Sequence, residues 1–169
     1  SVTTSSRVID DVRELRSHVG FIAHEVDDPR IVRRALLTED LVLVAPPGHE
    51  LAECGPVTVA GLEGRAMVMH EPGSSPRRIA ERVLRAAGVT VTVPLELSSN
   101  ETIKKAVAAG YGVAFISPSA VQQELADGSL VAIPLSGPAL SRTFSAIWAA
   151  DQELPPPLRQ LVTALSRGR

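Results

Sequence analysis

The chain has 169 residues, of which 44% are hydrophobic and 21% charged, as is usual for a globular protein with one core or two small lobes. The net charge of −2 argues against nucleic-acid binding by this chain itself, because phosphate binding needs a clustered positive surface. A single cysteine, Cys54, excludes an internal disulfide, and no apolar run is long enough to span a membrane, so we expect a cytoplasmic protein without membrane contact.

The first half of the chain predicts strands that alternate with helices. Residues 1–4 are typical of the end of a strand, and Ser5 or Ser6 is a candidate cap for the helix that follows. Further strands are expected at 19–23, 31–37, 41–45 and 66–69. After the last of these, Ser75 as N-cap and Pro76 at the first helical position predict a helix with Ile79, Val83 and Leu84 inward.

The second half contains the most informative stretch, residues 97–116. A strand at 89–97 ends in Ser98-Ser99-Asn100-Glu101, which has the form of a capping box with Ser98 as the cap. The helix that follows has Ile103, Ala106 and Val107 on one face and is expected to end at Gly110. A buried strand is predicted at 113–116, and Ser117-Pro118 begins another helix. Strands at 130–135 and 144–149 and a terminal helix complete the prediction.

This alternation of strands and helices predicts an α/β protein with a mostly parallel sheet. Breaks at Pro46-Pro47-Gly48 and near Ser136-Gly137-Pro138 mark the expected lobe boundaries. Helix N-termini at the carboxyl ends of strands are where such sheets bind small polar ligands.

Three segments in this order resemble the effector-binding (substrate-binding) domain of LysR-type transcriptional regulators. They are 41–52 (LVLVAPPGHELA), 71–75 (EPGSS) and 97–116 (LSSNETIKKAVAAGYGVAFI). The resemblance implies two Rossmann-like lobes joined by two crossover strands, as in type 2 periplasmic binding proteins. The first lobe would comprise 1–44 plus 145–169, and the second 45–144.

The resemblance also implies a function. A small effector would bind in the cleft between the lobes and change DNA binding by an N-terminal winged helix-turn-helix, which this chain lacks. The regulator would be a homodimer or tetramer, with helices carrying Val8, Ile9 and Val12 and Ile79, Val83 and Leu84 near the dimer contact. A solute-binding protein of a transport system is the alternative with the same fold.

The chain departs from the family pattern in two respects. The family's first strand and first helix have no counterpart before Ser1, so the chain is expected to be a fragment. The family's G-x-x-D-x-G reads Leu15-Arg16-Ser17-His18-Val19-Gly20 here, with Leu15 and His18 in place of the glycine and the aspartate. These replacements leave the geometry of the local turn open.

Small polar residues at helix starts are the candidate effector-binding groups. They are Ser5, Ser6, Ser74, Ser75, Ser99 and Asn100. Each serine could instead be only a helix cap. Helix N-termini favour anions, so the predicted effector is a carboxylate, sulfate or phosphate.

Enzyme motifs are missing from the sequence. The four histidines lack metal-ligand spacing, and there is no G-x-S-x-G or P-loop. Cys54 lies in a Gly-Pro turn typical of a bystander thiol. We therefore expect no catalytic residues, no metal and no cofactor.

Overall fold

The computed structural model describes residues 5–23 and 25–167. The strand end expected at 1–4 lies outside these residues. The helices are α1 (Ser5–Arg13), α2 (Glu50–Glu53), α3 (Ser75–Ala86), α4 (Asn100–Ala108), α5 (Pro118–Asp127) and α6 (Pro156–Arg167). The strands are β1 (Gly20–Ile22), β2 (Ile31–Asp40), β3 (Val42–Ala45), β4 (Val57–Thr58), β5 (Met69–His70), β6 (Glu96–Leu97), β7 (Ala114–Ile116), β8 (Val131–Ile133), β9 (Leu135–Ser136) and β10 (Ser141–Ala149).

The chain divides into two compact units. Unit 1 contains Ser1–Glu39 and Arg142–Arg169, and unit 2 contains Asp40–Ser141. The chain therefore passes from one unit to the other twice, once in β2 and once in β10. The boundaries expected from the sequence, 44/45 and 144/145, lie a few residues further along the chain.

Unit 1 is built on a sheet with strand order β1-β10-β2, in which β1 is antiparallel to β10. Neighbouring residues of a strand point to opposite faces, so Ile147 and Ala146 belong to different layers. Ile147 packs with Val12 of α1, whereas Ala146 packs with Val162 of α6. The sheet is therefore covered by one helix on each face.

Helix α1 packs closely on β1 because of Gly20. A Cβ atom on Gly20 would lie 2.4 Å from Cγ1 of Val8, far inside van der Waals contact. This glycine is the last residue of the segment that departs from the family pattern. It preserves the close helix-to-strand approach although Leu15 and His18 differ.

Unit 2 corrects the expectation of a mostly parallel sheet. Its three-stranded sheet has the order β7-β3-β8, and β3 is antiparallel to both neighbours. Parallel pairing is limited to β4–β9, β5–β6 and two isolated bridges, Ala66 with Thr92 and Met67 with Val113. The sequence pattern predicts parallel pairing for two strands that a helix connects, as α3 connects β5 and β6. Strand β3 instead follows β2 of unit 1 without a helix between them, and it is antiparallel to both of its neighbours.

The core of unit 2 lies on both faces of β3. Leu43 is fully buried in a cluster with Ile79 and Val83 of α3. The adjacent Val44 is fully buried in a second cluster, with Ile103 and Val107 of α4. This arrangement explains the uninterrupted apolar run at 41–45, since a strand covered on both faces needs no polar positions.

Candidate functional site

Two helices of unit 2 begin side by side at the carboxyl ends of a parallel strand pair. Strands β5 and β6 pair with His70 opposite Leu97, and the Glu71 N–H donates to the Leu97 carbonyl at 3.0 Å. Helix α3 begins five residues after β5 ends, and α4 begins three residues after β6 ends. The edge defined by residues 70–75 and 97–100 is here called the β5–β6 edge.

The cap of α3 is Ser74 and not Ser75, which corrects the sequence prediction. Oγ of Ser74 accepts from the Arg77 N–H at 3.4 Å and donates to the Glu71 carbonyl at 2.9 Å. Ser75 is the first residue of the helix and Pro76 the second. Proline is tolerated in the first turn generally, so its position alone did not identify the cap. Ser74 is therefore engaged in holding the turn.

The cap of α4 is Ser99 and not Ser98, the serine of the expected capping box. Oγ of Ser99 accepts from the Thr102 N–H at 3.3 Å, and Asn100 is the first helical residue. The expected end of this helix is confirmed, because Gly110 follows it with a φ of +84°. The one-residue shift of the cap makes Asn100 the first helical residue instead of the second.

A side-chain hydrogen bond joins the end of β5 to the first residue of α4. Nε2 of His70, at the end of β5, lies 3.0 Å from Oδ1 of Asn100. His70 is only 7% exposed. The contact fixes the side-chain oxygen of Asn100 and leaves its amide NH₂ group as a donor. Sequence reasoning considered His70 only as a metal ligand and missed this role, since the register of β5 and β6 decides it.

Two arginines follow the cap of α3. Arg77 donates to the His70 carbonyl at 3.2 Å and pairs with Glu81 and Glu96, both at 2.6 Å. Burial lowers the pKa of Arg77, but hydrogen bonds to Glu81 and Glu96 outweigh it, so the pKa is raised. Its charge is thus already balanced. Arg78 differs, because Nη1 donates to the Gly73 carbonyl at 2.9 Å while Nη2 is buried without a hydrogen-bond partner among the described residues.

The other candidates lie elsewhere. Ser5 and Ser6 are the first two residues of α1 in unit 1, so neither is its cap as expected. Ser117 caps α5 by position, with Pro118 next as predicted, but its Oγ lies 2.9 Å from Oγ of Ser119 and makes no cap hydrogen bond. The structure therefore brings together Ser74, Ser75, Ser99 and Asn100.

The part of the chain that the structure describes holds neither a candidate metal site nor a candidate membrane helix. Among residues 5–23 and 25–167, no group of three or more His, Cys, Asp or Glu side chains could hold a metal ion. In the same part of the chain, no helix combines the length and apolar character needed to cross a membrane.

Comparison with known proteins identifies the family. The sequence profile described as LysR substrate binding domain matches residues 1–168. The regulator CbbR of Xanthobacter flavus is 38% identical over 128 residues, which are 75% of this chain and 38% of that protein. The uncharacterized regulator YeiE of Escherichia coli K12 is 32% identical over 164 residues, which are 96% of this chain and 55% of that protein. The chain therefore spans roughly two-fifths to one-half of the relatives it matches.

Solved structures agree on the fold. The CcmR regulatory domain of Synechocystis PCC6803 superposes with a TM-score of 0.87 over 99% of this chain and 80% of that one, at 23% identity. The reduced OxyR regulatory domain of Pseudomonas aeruginosa gives 0.81 over 98% of this chain and 80% of that one, at 24% identity. This chain belongs to the LysR substrate-binding domain family and has the type 2 periplasmic-binding-protein-like fold. The family is one of ligand-binding domains, and these relatives are transcriptional regulators, which disfavours the transport alternative.

Proposed function

We propose that the effector of this domain is a small anion and that the β5–β6 edge supplies its main binding groups. The observation that carries the proposal is the position of two helix N-termini at one strand edge, where the His70–Asn100 hydrogen bond holds the start of α4 against the end of β5. Each N-terminus presents backbone N–H groups and about half a positive charge, which stabilises an anion. Two relatives of the same fold are described with small ligands, CcmR with 2-PG and QuiR with shikimate.

Individual residues have different proposed roles at this edge. The amide of Asn100 and the hydroxyl of Ser99 donate to the anion, because their oxygens already accept from His70 and Thr102. Ser75 lies in the first turn of α3 and adds a third polar group. Ser74 holds the turn through its two hydrogen bonds, and the buried Nη2 of Arg78 adds donor capacity beside it. Ser5 and Ser6, in α1 of unit 1, stay a prediction from the sequence.

The variant Asn100→Asp is expected to weaken ligand binding without impairing folding. A carboxylate in the first turn of a helix suits the helix dipole and still accepts from His70, but it repels an anionic ligand. We expect calorimetry with 2-PG, shikimate and inorganic phosphate to show binding of at least one anion. Its affinity should fall about tenfold or more in Asn100→Asp, which corresponds to about 1.4 kcal/mol.

The matched control is Gln122→Glu, which adds the same charge at an exposed position in the middle of α5. It should bind the anion as the unmodified chain does. Equal binding by Asn100→Asp would show that the β5–β6 edge is not the site. Binding of only uncharged metabolites in a wider screen would show that the ligand class is wrong.

We also propose that the parent protein is a cytoplasmic, dimeric or tetrameric transcription factor that binds promoter DNA through a domain outside this chain. The support is that its relatives are transcriptional regulators of about twice this length or more.

In the proposed mechanism, the ligand shifts the equilibrium between two conformations of the regulator because it has a different affinity for each of them. The test is a gel-shift titration of the full-length protein on its own promoter, in which the anion should change the DNA affinity. No change with a ligand that binds the isolated domain would contradict this mechanism.

The proposed dimer contact through α1 and α3 would use the faces of these helices that point away from the core. Ile79, Val83 and Leu84 are buried in the core of unit 2, and Val12 is buried in unit 1. These side chains are therefore not available to a second copy, and a contact through α1 and α3 would use their polar faces. Light scattering of this chain at micromolar concentration should show a dimer, and a monomer would count against the contact in this fragment.

A further inference from the structure

Unit 1 contains a cavity of about 360 Å³ that is separate from the β5–β6 edge. It lies where α6 crosses the sheet and is lined by Arg34, Trp148, Gln152, Glu153, Leu154, Arg159 and Val162. Its volume is within the range of pockets that hold small molecules.

The floor of the cavity is apolar and fixed by the core. Leu154 and Val162 are buried, and Trp148 packs in the same cluster. The rim is held by backbone contacts, since the Ala150 N–H donates to the Arg30 carbonyl at 2.8 Å and the Gln152 N–H to the Ala149 carbonyl at 3.1 Å. These hydrogen bonds hold the end of β10 and the segment after it in place beside the cavity.

The polar wall of the cavity is predominantly cationic. Arg159 donates to the Leu154 carbonyl at 3.2 Å and lies 3.5 Å from the exposed carboxylate of Glu153. The guanidinium group of Arg34 makes no hydrogen bond or ion pair with another side chain or with the backbone among the residues that the structure describes. The cavity lining thus contains two guanidinium groups and one carboxylate. The guanidinium group of Arg34 is available to a ligand. Guanidinium groups bind carboxylates well because two parallel N–H groups match the two oxygens.

We propose that this cavity is a second ligand site, for a small carboxylate with a planar apolar body. The carboxylate pairs with Arg34, and the body packs on Trp148, Leu154 and Val162. The site differs from the β5–β6 edge in its chemistry, because it pairs charge with an aromatic surface instead of using helix N-termini. Ligands of the two sites should therefore bind independently.

Trp148 reports directly on this cavity because it is the single tryptophan of the chain. We would titrate the protein with phenylacetate and follow tryptophan fluorescence. Acetate lacks the apolar body and 2-phenylethanol lacks the charge, so each tests one half of the proposal. Phenylacetate should give a saturable change at about millimolar concentration, and both comparison compounds should bind about tenfold or more weakly.

Arg34→Gln tests the charge, and Arg33→Gln is its matched control. Successive residues of β2 point to opposite faces of the sheet, so Arg33 carries the same charge away from the cavity. Both side chains are exposed, so both variants should fold, as circular dichroism would verify. Phenylacetate affinity should fall about tenfold in Arg34→Gln and stay unchanged in Arg33→Gln and Asn100→Asp.

The proposal would be overturned by the absence of a saturable fluorescence change with phenylacetate, by equal responses to acetate or 2-phenylethanol, or by equal losses in the two arginine variants. A loss in Asn100→Asp would place phenylacetate at the β5–β6 edge and likewise overturn the second site. The proposed effector site could then still hold, because its own test uses other ligands and calorimetry.

Discussion

Leu15 occupies a backbone conformation that leucine rarely adopts. Its φ is +58°, in the left-handed region, and its side chain is 49% exposed. The family pattern has glycine at this position, where no Cβ opposes such a conformation. The structure therefore settles the geometry that the sequence left open. The turn keeps the left-handed residue although glycine has been replaced.

Leu15→Gly should raise the free energy of unfolding by about 0.5–1 kcal/mol. Relief of the left-handed strain, about 1–2 kcal/mol, exceeds the entropy that glycine adds to the unfolded chain. Urea unfolding measures the change. Leu15→Ala keeps the Cβ atom and should give no gain, and a gain equal to that of glycine would show that the side chain, not the backbone, is unfavourable.

Asp28 links the end of α1 to the loop before β2. Its carboxylate accepts from Nη2 of Arg30 at 3.0 Å, from the Arg30 backbone N–H at 3.0 Å and from Nη2 of Arg13 at 2.8 Å. The side chain of Arg30 does most to hold the pKa of Asp28 far below its usual range, followed by the Arg30 N–H and Arg13. The carboxylate form is thus favoured in the folded state.

Acid should therefore destabilise the protein partly through Asp28. Because folding lowers the pKa of Asp28, its carboxylate stabilises the folded state fully at pH values above the pKa of aspartate in the unfolded chain, about 3.9. This stabilisation is lost progressively as the pH falls below that value toward the lower pKa of the folded state. Thermal midpoints measured from pH 7 to pH 3 should fall less in Asp28→Asn than in the unmodified chain. Asp151→Asn, at an exposed position, is the control and should leave the profile unchanged. Identical profiles for Asp28→Asn and the unmodified chain would contradict the assignment.

At the scale of single elements, each of two helices in unit 2 is preceded or begun by two adjacent serines, of which only one is the cap. Ser74 and Ser75 are adjacent, as are Ser98 and Ser99, and each member is chemically able to cap a helix. The structure makes Ser74 and Ser99 the caps. The choice depends on where the preceding strand stops pairing, which is a property of the sheet.

Ser74→Ala should lower the free energy of unfolding by about 1 kcal/mol because it removes the cap of α3. Ser75→Ala changes the neighbouring serine and should cost less. Chemical denaturation of both variants gives the comparison. A larger loss in Ser75→Ala would return the cap to Ser75, as the sequence pattern suggested.

At the scale of the whole molecule, each unit has its own core, and in unit 2 the core lies on both faces of one strand. Leu43 and Val44 are adjacent, fully buried, and belong to different clusters. Strand β2, by contrast, is largely exposed, and its Leu37 is 50% exposed. Leucines in two successive strands of the chain therefore contribute very differently to stability.

Leu43→Ala should lower the free energy of unfolding by about 2–5 kcal/mol, since it removes buried methyl groups and leaves a cavity. Leu37→Ala makes the same chemical change at an exposed position and should cost less than about 1 kcal/mol. Urea unfolding followed by circular dichroism compares the two. Similar losses would mean that Leu37 is covered in solution by a contact that this chain alone does not show.

The sequence by itself determined the family, most helices and the buried strands around β3 and β7, because apolar periodicity and turn residues are local signals. It also placed serines at the starts of α3 and α4. Only the tertiary structure decided which serine caps each helix, that β3 runs antiparallel to its neighbours, and that the 89–97 strand narrows to Glu96–Leu97 with a bridge at Thr92. The His70–Asn100 contact and the Arg34–Trp148 cavity depend on register and on packing between distant segments. No local pattern encodes them, because hydrogen-bonded partners 30 residues apart meet only after the strands have paired.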